Sequence, residues 1–379
     1  MNRKPSLTFL LAAVAFSLVS YFAENAEART YDNIIRPYVS ARAAAMGGVR
    51  YSTGLFDENF FANPARTGDN PYWRLDIVNV LVELNSGSIS NVSKLTKGGD
   101  KIENLASTAG TNNHVRIQTV IPAFYSPHFF SDRNALAIGL VQSTQADIGL
   151  RKNMSLEPDV FMDIGPAVSF SRKFMKDDRL AVGVTAHYTY RAATRETFST
   201  IDYIKGTSFK SVKDIAGEGN KVDFDLGARH NVAWSPKDWK LQTAFAINNF
   251  LGSSYKEGLD LISGVQAVPV KQPRTVNAGV SASKDGAFGF SGATFAFEVQ
   301  DVGNNSGGSL FRTLHLGGEL HARRILFLRA GINQGYLSGG VGLDFPLLKI
   351  DFTTYGEEMS LNAGGMEDRR YAVRLGLQI

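Results

Sequence analysis

The chain of 379 residues contains no cysteine, so no disulfide framework can hold it, even in an oxidising compartment. After its first 28 residues no apolar run is long enough to cross a bilayer as a helix, which excludes a helical membrane protein. No block of like charge occurs either. The 40 basic and 36 acidic residues are dispersed and leave a formal net charge of +4, which argues against a nucleic-acid partner. Catalytic motifs are missing as well. There is no Gly-x-Ser-x-Gly elbow and no phosphate-binding glycine loop, and the glycines between 286 and 292 read as turn and strand. The six histidines (His114, His128, His187, His230, His315 and His321) show no His-Glu-x-x-His spacing. The expectation is a non-enzyme with no catalytic residue, no metal and no cofactor.

What is present begins with an export signal. Arg3 and Lys4 precede an apolar stretch from 7 to 19, and Ala26-Glu27-Ala28 offers a small-residue cleavage site. The mature chain then shows strict alternation. In residues 312–352, Leu314, Leu316, Gly318 and Leu320 alternate with Thr313, His315, Gly317 and Glu319. Leu326, Leu328, Ala330 and Ile332 alternate with Phe327, Arg329, Gly331 and Asn333. Leu337, Val341, Leu343 and Phe345 share one parity, and Leu348, Ile350 and Phe352 alternate with Lys349, Asp351 and Thr353. A period of two marks strands with one apolar and one polar face, and very short connections make neighbours antiparallel. Similar strands read at 73–84, 115–125, 135–146, 160–174, 180–191, 222–234, 239–249, 275–283, 291–300 and 371–379. On the first of these, Leu75, Ile77 and Leu81 share a parity. The total is about fourteen, an even number, as bacterial barrels have.

The connectors alternate in length. Those at 126–132, 176–179, 235–238, 284–287 and 322–324 and the bend at Pro346 are short. Those at 85–113, 147–159, 192–221, 250–272, 301–309 and 356–370 are longer, and only the turn at 334–336 breaks the order. The first long connector has room for a short helix. One rim of short turns and one of long loops is the habit of outer-membrane barrels, and it places both termini on the short, periplasmic rim. The faces agree. Leu180, Val182, Val184, Ala186, Tyr188 and Tyr190 form an outer face, as do Phe224, Leu226, Ala228 and Trp234, then Trp239, Leu241, Phe245 and Ile247. The opposite parities give the lumen-facing candidates: His187, Arg191, Asp223, Asp225, Arg229, Glu298, Glu319, Arg329, Asp351 and Arg374, with Asn231, Lys240 and Gln242. Facing ion pairs fill a barrel interior without any further role. His187 and Asp225 on neighbouring strands would come close in this way, which is no sign of a hydrolase by itself.

Residues 29–71 lack sustained alternation and are too long for a tether. They contain Ser40-Ala41-Arg42-Ala43-Ala44-Ala45-Met46-Gly47-Gly48, then Asp57-Glu58 and Asn63-Pro64-Ala65. Here, and in Leu328-Arg329-Ala330-Gly331-Ile332 with the glycine-rich strand after it, the sequence resembles the FadL-like outer-membrane proteins, nearest the PorV and TodX-type branches. Arg50 and Tyr51 depart from that pattern, as do Arg66 and Ala62, and the chain ends in Ile379 rather than an aromatic. The resemblance implies an all-β transmembrane antiparallel barrel of about fourteen strands with an N-terminal plug. Its domains would be a signal peptide at 1–28, a plug or hatch at 29–71 and the barrel at 72–379.

Arg42, Met46, Gly47, Gly48, Asn63 and Pro64 make up the expected plug motif. Gly47 and Gly48 would press the backbone on the wall, and Asn63-Pro64 would fix the turn into the first strand. Arg42 would pair with Glu298, Glu319 or Asp351, because an unpaired charge in a confined interior is costly. The function implied is passive transport of small hydrophobic solutes across the outer membrane of a Gram-negative-type bacterium. The alternative is a PorV-like scaffold for secreted cargo or a secretion machine. Expected partners are outer-membrane lipid, the barrel assembly machinery, and a hydrophobic ligand or a cargo protein. Transport predicts an apolar pocket under the loops, for which Leu251, Leu259, Leu261, Ile262 and Val265 are suited.

Overall fold

The structure, a computed structural model, describes residues 38–96, 110–151, 155–194, 198–199, 216–258, 261, 268–305, 308–323, 325–360 and 364–379. The expected signal peptide and the first part of the expected plug lie outside these residues. Fourteen strands form the wall. The first five are β1 (Arg74–Asn85), β2 (Asn112–Ser126), β3 (Asn134–Leu150), β4 (Ser155–Phe174) and β5 (Leu180–Thr194). Then come β6 (Gly217–Asn231), β7 (Lys240–Asn248), β8 (Thr275–Asp285), β9 (Gly292–Val299) and β10 (Leu314–His321). The last are β11 (Leu326–Asn333), β12 (Tyr336–Asp344), β13 (Leu348–Glu358) and β14 (Glu367–Gln378). Each pairs antiparallel with its sequence neighbours, and β14 pairs with β1, so the sheet has no free edge. A two-residue strand, Phe198–Ser199, adds to the end of β4 outside the wall.

Closure follows from the alternation. One parity of each strand presents apolar side chains outward, as with Ile138, Phe170, Val182, Leu316, Phe352 and Leu375, all exposed. That surface is acceptable only in lipid, and a closed barrel is the one sheet that leaves no backbone group unpaired there. Tyr72, Trp73, Phe174, Trp234 and Phe288 project on the rim of the short turns, as interfacial aromatics do. No helix among the described residues is long and apolar enough to cross a membrane.

Three local expectations are corrected. Residues 147–150 and 155–159 are not part of a longer connector but the ends of β3 and β4, paired through Asp147↔Asp159 and Gly149↔Glu157. β3 and β4 thus reach 17 and 20 residues, well past the roughly 9–11 a bilayer crossing needs. Their tips meet water on both faces, so the apolar alternation fades there. On β1, Leu75 and Ile77 face outward but Leu81 faces inward and is buried against Ala41 and Ala372. The cause is a bulge between Asp76 and Val78, since one extra residue reverses the parity of everything after it. Tyr190 keeps the outer parity of β5 yet is buried, donating to Glu218 at 2.5 Å. The first long connector does carry a helix, Ser86–Thr96.

Candidate functional site

A lumen of fourteen strands is too wide to be filled by the wall's own side chains. Residues 38–71 lie within it, in contact with the inner wall. They run round the inner wall as a belt and meet the strands in nearly reverse order before leaving into β1. The belt starts with a short helix, α1 (Ala41–Ala45), capped by Ser40, whose hydroxyl accepts from the Ala43 amide at 3.1 Å. Four alanines suit a helix that must lie close to a wall, and the glycines end it. Gly47 has φ +70°, open to glycine at little cost. A Cβ at Gly47 would stand 2.7 Å from the backbone nitrogen of Ile332. The wall makes room in turn, because Gly317 and Gly331 face Met46 and Gly47. The Gly47 amide donates to Ser338 at 2.9 Å, and its carbonyl meets His315 Nδ1 at 2.8 Å. The Gly48 carbonyl accepts from Gln300 at 2.7 Å. Met46 is fully buried with Val49 and Ala296.

The belt then crosses to the opposite wall. Glu298 on β9 accepts from the backbone amides of Arg50 at 3.0 Å and Ser52 at 2.7 Å. Asn63-Pro64 does not make the turn into the first strand. Asn63 caps a 3-10 helix, Pro64–Asp69, by accepting from Ala65 at 3.1 Å. That turn sits where Gly183 of β5 and Gly227 of β6 leave space for it. Asn63 also donates to the Ala228 carbonyl at 3.1 Å. Arg229 of β6 holds Asp69 through both guanidinium edges, with Nε to Oδ2 at 3.0 Å. Arg66 pairs with the same carboxylate at 3.4 Å and donates to Gln242 at 2.6 Å. Phe56 and Phe60 pack on Tyr125 and fill the centre with Val120, Ala123 and Ala137.

One ion-pair network ties the start and the middle of the belt to the wall. Arg42 donates to Glu319 through Nε and Nη2, both at 3.0 Å, and to Glu58 at 3.2 Å. Glu319 also accepts from Arg329 at 2.7 Å, and Arg329 reaches Asp351 at 2.5 Å. Arg374 joins Asp351 at 3.4 Å to Asp57 at 3.3 Å. Arg74 and Tyr38 hold Asp57 from the other sides, at 3.4 and 2.5 Å. Burial works against ionising Asp57, but Arg374 and Arg74 outweigh it, and the carboxyl is held below its ordinary value. Of the three partners expected for Arg42, Glu319 takes it; Asp351 lies one arginine further on, and Glu298 serves the belt backbone instead.

The remaining candidates face inward without touching the belt so directly. Arg191 pairs with Asp163 across β4 and β5 at 2.5 and 2.6 Å. Asp223 accepts from the amides of Leu251 at 2.9 Å and Ser253 at 3.0 Å, anchoring a connector. His187 Nε2 lies 3.3 Å from Asp225, its Nδ1 has no partner among the described residues, and its ring lies beside Phe61, centroids 5.7 Å apart.

Above the belt, on the side of the long connectors, lies a vestibule with a cavity volume of about 140 Å³. Arg50, Tyr51, Tyr38, Phe61 and His187 line it, with Asp225, Asn248, Gln272, Arg312 and Arg370 among its polar walls. Below the belt a second chamber of about 310 Å³ is lined by Arg42, Asp57, Glu58, Glu319 and Arg374. The expected apolar pocket under the loops is therefore corrected. Leu251 and Leu261 are exposed, at 52% and 68%, and Leu259, Ile262 and Val265 lie outside the described residues. An aliphatic run in a connector serves whichever side the backbone turns to, and these two leucines turn away.

Sequence reading missed one buried cluster. His114 lies 2.8 Å from Glu83 and 2.6 Å from Asp147, and Arg370 stands 2.9 Å from Asp368. His114, Asp147 and Asp368 bring ligand atoms within 4.8 Å of one another. Arg370 occupies the same place, 3.8 Å from Asp147, so the carboxylates already have a cation. The parity of Glu83 was hidden by the bulge on β1; Arg370 and Asp368 were legible only as an extension of the last strand.

No protein-family model matches the chain, and no curated protein matches it. Solved structures do. A monoaromatic hydrocarbon channel, CymD, is 10% identical, with 90% of this chain and 97% of that one covered and a TM-score of 0.51. The toluene transporter TbuX of Ralstonia pickettii is 13% identical over 90% and 97%, at 0.49. The toluene transporter TodX of Pseudomonas putida is 12% identical over 92% and 99%, at 0.46. At such identity the likeness to CymD is one of fold alone, a closed antiparallel barrel.

Proposed function

We propose that this chain is a gated passive channel of the outer membrane for small solutes, with residues 38–71 as the gate. The observation that carries this reading is the belt. It separates two chambers of a wide barrel and is held by side-chain contacts and ion pairs, with no strand pairing to the wall. Such contacts can be exchanged one by one, whereas a ladder cannot. A structural filler would need no chamber on either side. The cargo named for CymD, monoaromatic hydrocarbons, supports small apolar or aromatic molecules as the solute class. The outward apolar surface supports outer-membrane lipid as the surrounding partner. The same reading places the long connectors outside the cell and both termini in the periplasm. The test is removal of residues 40–48 in a protein whose gel mobility still shifts on heating. Reconstituted in liposomes, it should raise the permeability to small aromatic solutes several-fold over the full chain. Unchanged permeability in the folded deletion would refute gating and favour a scaffold.

A further inference from the structure

Every arginine that the belt or the inner wall presents to the lower network has a carboxylate. Arg42 has two, and Arg66, Arg229, Arg329 and Arg374 have at least one each. Arg50 differs. Among the described residues no carboxylate lies within ion-pair distance of its guanidinium. Its contacts are the Tyr51 hydroxyl at 3.2 Å and the Tyr51 ring, 5.2 Å from the guanidinium carbon. Its Nε is buried without a partner among the described residues. Glu298, the nearest candidate by position, spends its oxygens on the belt amides, on Ser52 and on Gln300. Against its burial, Tyr51 and, through space, Glu298 keep this guanidinium charged, but no carboxylate among the described residues takes its donors.

The same vestibule supplies an aromatic floor. Tyr38 and Phe61 stack with centroids 5.7 Å apart and planes 14° from parallel. The His187 ring continues the surface beside Phe61, with its buried Nδ1 unpartnered among the described residues. His187 is 4% exposed, so packing holds its ring in place. An aromatic plate and a guanidinium with no carboxylate in contact share one chamber, whose walls also carry Asp225 and Asp301. Arg50 and Tyr51 are also two of the positions at which the sequence departs from the FadL-like pattern.

We propose that the vestibule binds monoaromatic carboxylates, the ring resting on Phe61 and the carboxylate on Arg50. Arg50 is thus the residue that selects anionic over neutral aromatic solutes. This rests on the channel reading for its purpose, but the binding itself does not. A guanidinium presents two parallel N–H donors to a carboxylate, a geometry no amide or amine can use.

The test measures equilibrium binding of benzoate, benzamide and benzylamine to the full chain in detergent micelles, by calorimetry at millimolar concentrations. Benzoate should bind about tenfold tighter than benzamide, and benzylamine least, as expected for a charge-assisted pair. Arg50→Gln should bring benzoate down to the benzamide level, while Arg50→Lys keeps part of the preference. Phe61→Leu should weaken benzoate and benzamide alike. Heat-dependent gel mobility identifies which variants fold, and the Lys variant serves if the Gln variant does not. Benzoate binding no better than benzamide, or a preference that survives Arg50→Gln, would overturn the proposal. Efflux from proteoliposomes separates it from the channel reading. Benzoate bound but not released faster than from protein-free vesicles would refute the channel and leave the site. Aromatic flux indifferent to charge would do the reverse.

Discussion

Arg42 is the residue on which the docked belt depends most directly. Its side chain is 13% exposed, and the Glu58 and Glu319 side chains it joins are each 4% exposed. Glu58 belongs to the belt and Glu319 to β10, so one guanidinium fastens segment to wall. Replacing it with glutamine leaves two buried carboxylates facing each other with less than their charge compensated. Breaking a buried pair in this way costs about 3–5 kcal/mol. The barrel need not bear that cost, because its ladders do not involve Arg42; the belt can leave instead. Arg42→Gln should therefore keep the heat-modifiable mobility of the barrel but raise liposome permeability and expose the belt to protease. Replacing Glu319 as well removes the stranded wall charge and should restore part of the docking. A single variant that stays tight and protected would show that the glycine contacts hold the belt without the ion pair. Sequence parity was enough to say that Glu298, Glu319 and Asp351 all face inward. It could not choose among them, because height along the barrel depends on register, and register is set by turns that parity does not see.

At the scale of elements, the strands were legible and the belt was only partly so. Strong alternation in 312–352 gave three of its four strands within a residue or two, while the last runs on to Glu358, and Glu319↔Arg329 and Asp351↔Arg374 are directly opposed in the register. What failed were places where one residue changes the count or the solvent. The bulge after Asp76 turned Leu81 inward, and the water-exposed tips of β3 and β4 hid their own extension. The belt has no period to read, so its course depends on where glycines open the wall. Gly183 and Gly227 receive Asn63-Pro64, and nothing local to Asn63 could have pointed to strands more than a hundred residues away. Connector length survives these errors as a guide to orientation. The connectors 86–111, 195–216 and 249–274 share one rim, and 127–133, 175–179 and 345–347 the other. An epitope tag inserted in 249–274 should be labelled on intact cells, and one at 175–179 only after permeabilisation. The opposite pattern would invert the barrel and place the Arg50 vestibule on the periplasmic side.

For the whole molecule the decisive contact is between its ends. β14 pairs with β1 from Asn85↔Arg370 to Asp76↔Gln378, and the Ile379 and Leu75 amides exchange bonds at 2.9 Å. β14 also carries Arg374, which links the wall to Asp57 of the belt. The last strand therefore closes the sheet and completes the network inside it. Removing residues 371–379 would leave β1 and β13 with unpaired edges in the hydrocarbon, each unsatisfied backbone group costing several kcal/mol. Shrinking to thirteen strands would need β13 to meet β1 directly. β13 and β1 both run from the short-turn rim to the other, as each pairs antiparallel with β14. Direct pairing would therefore be parallel, against the antiparallel ladder of the whole wall. It would also set Asp351 beside Asp76 and Asp57 without Arg374 between them. The truncated chain is expected to accumulate unfolded, outside the membrane fraction, with no change of gel mobility on heating. The single change Arg374→Gln separates the two duties of the strand. It should insert and remain heat-modifiable, since the ladder is intact, yet show a loosened belt and raised permeability. A truncated chain that inserts and resists unfolding would mean that closure between the two ends is not what holds the barrel together.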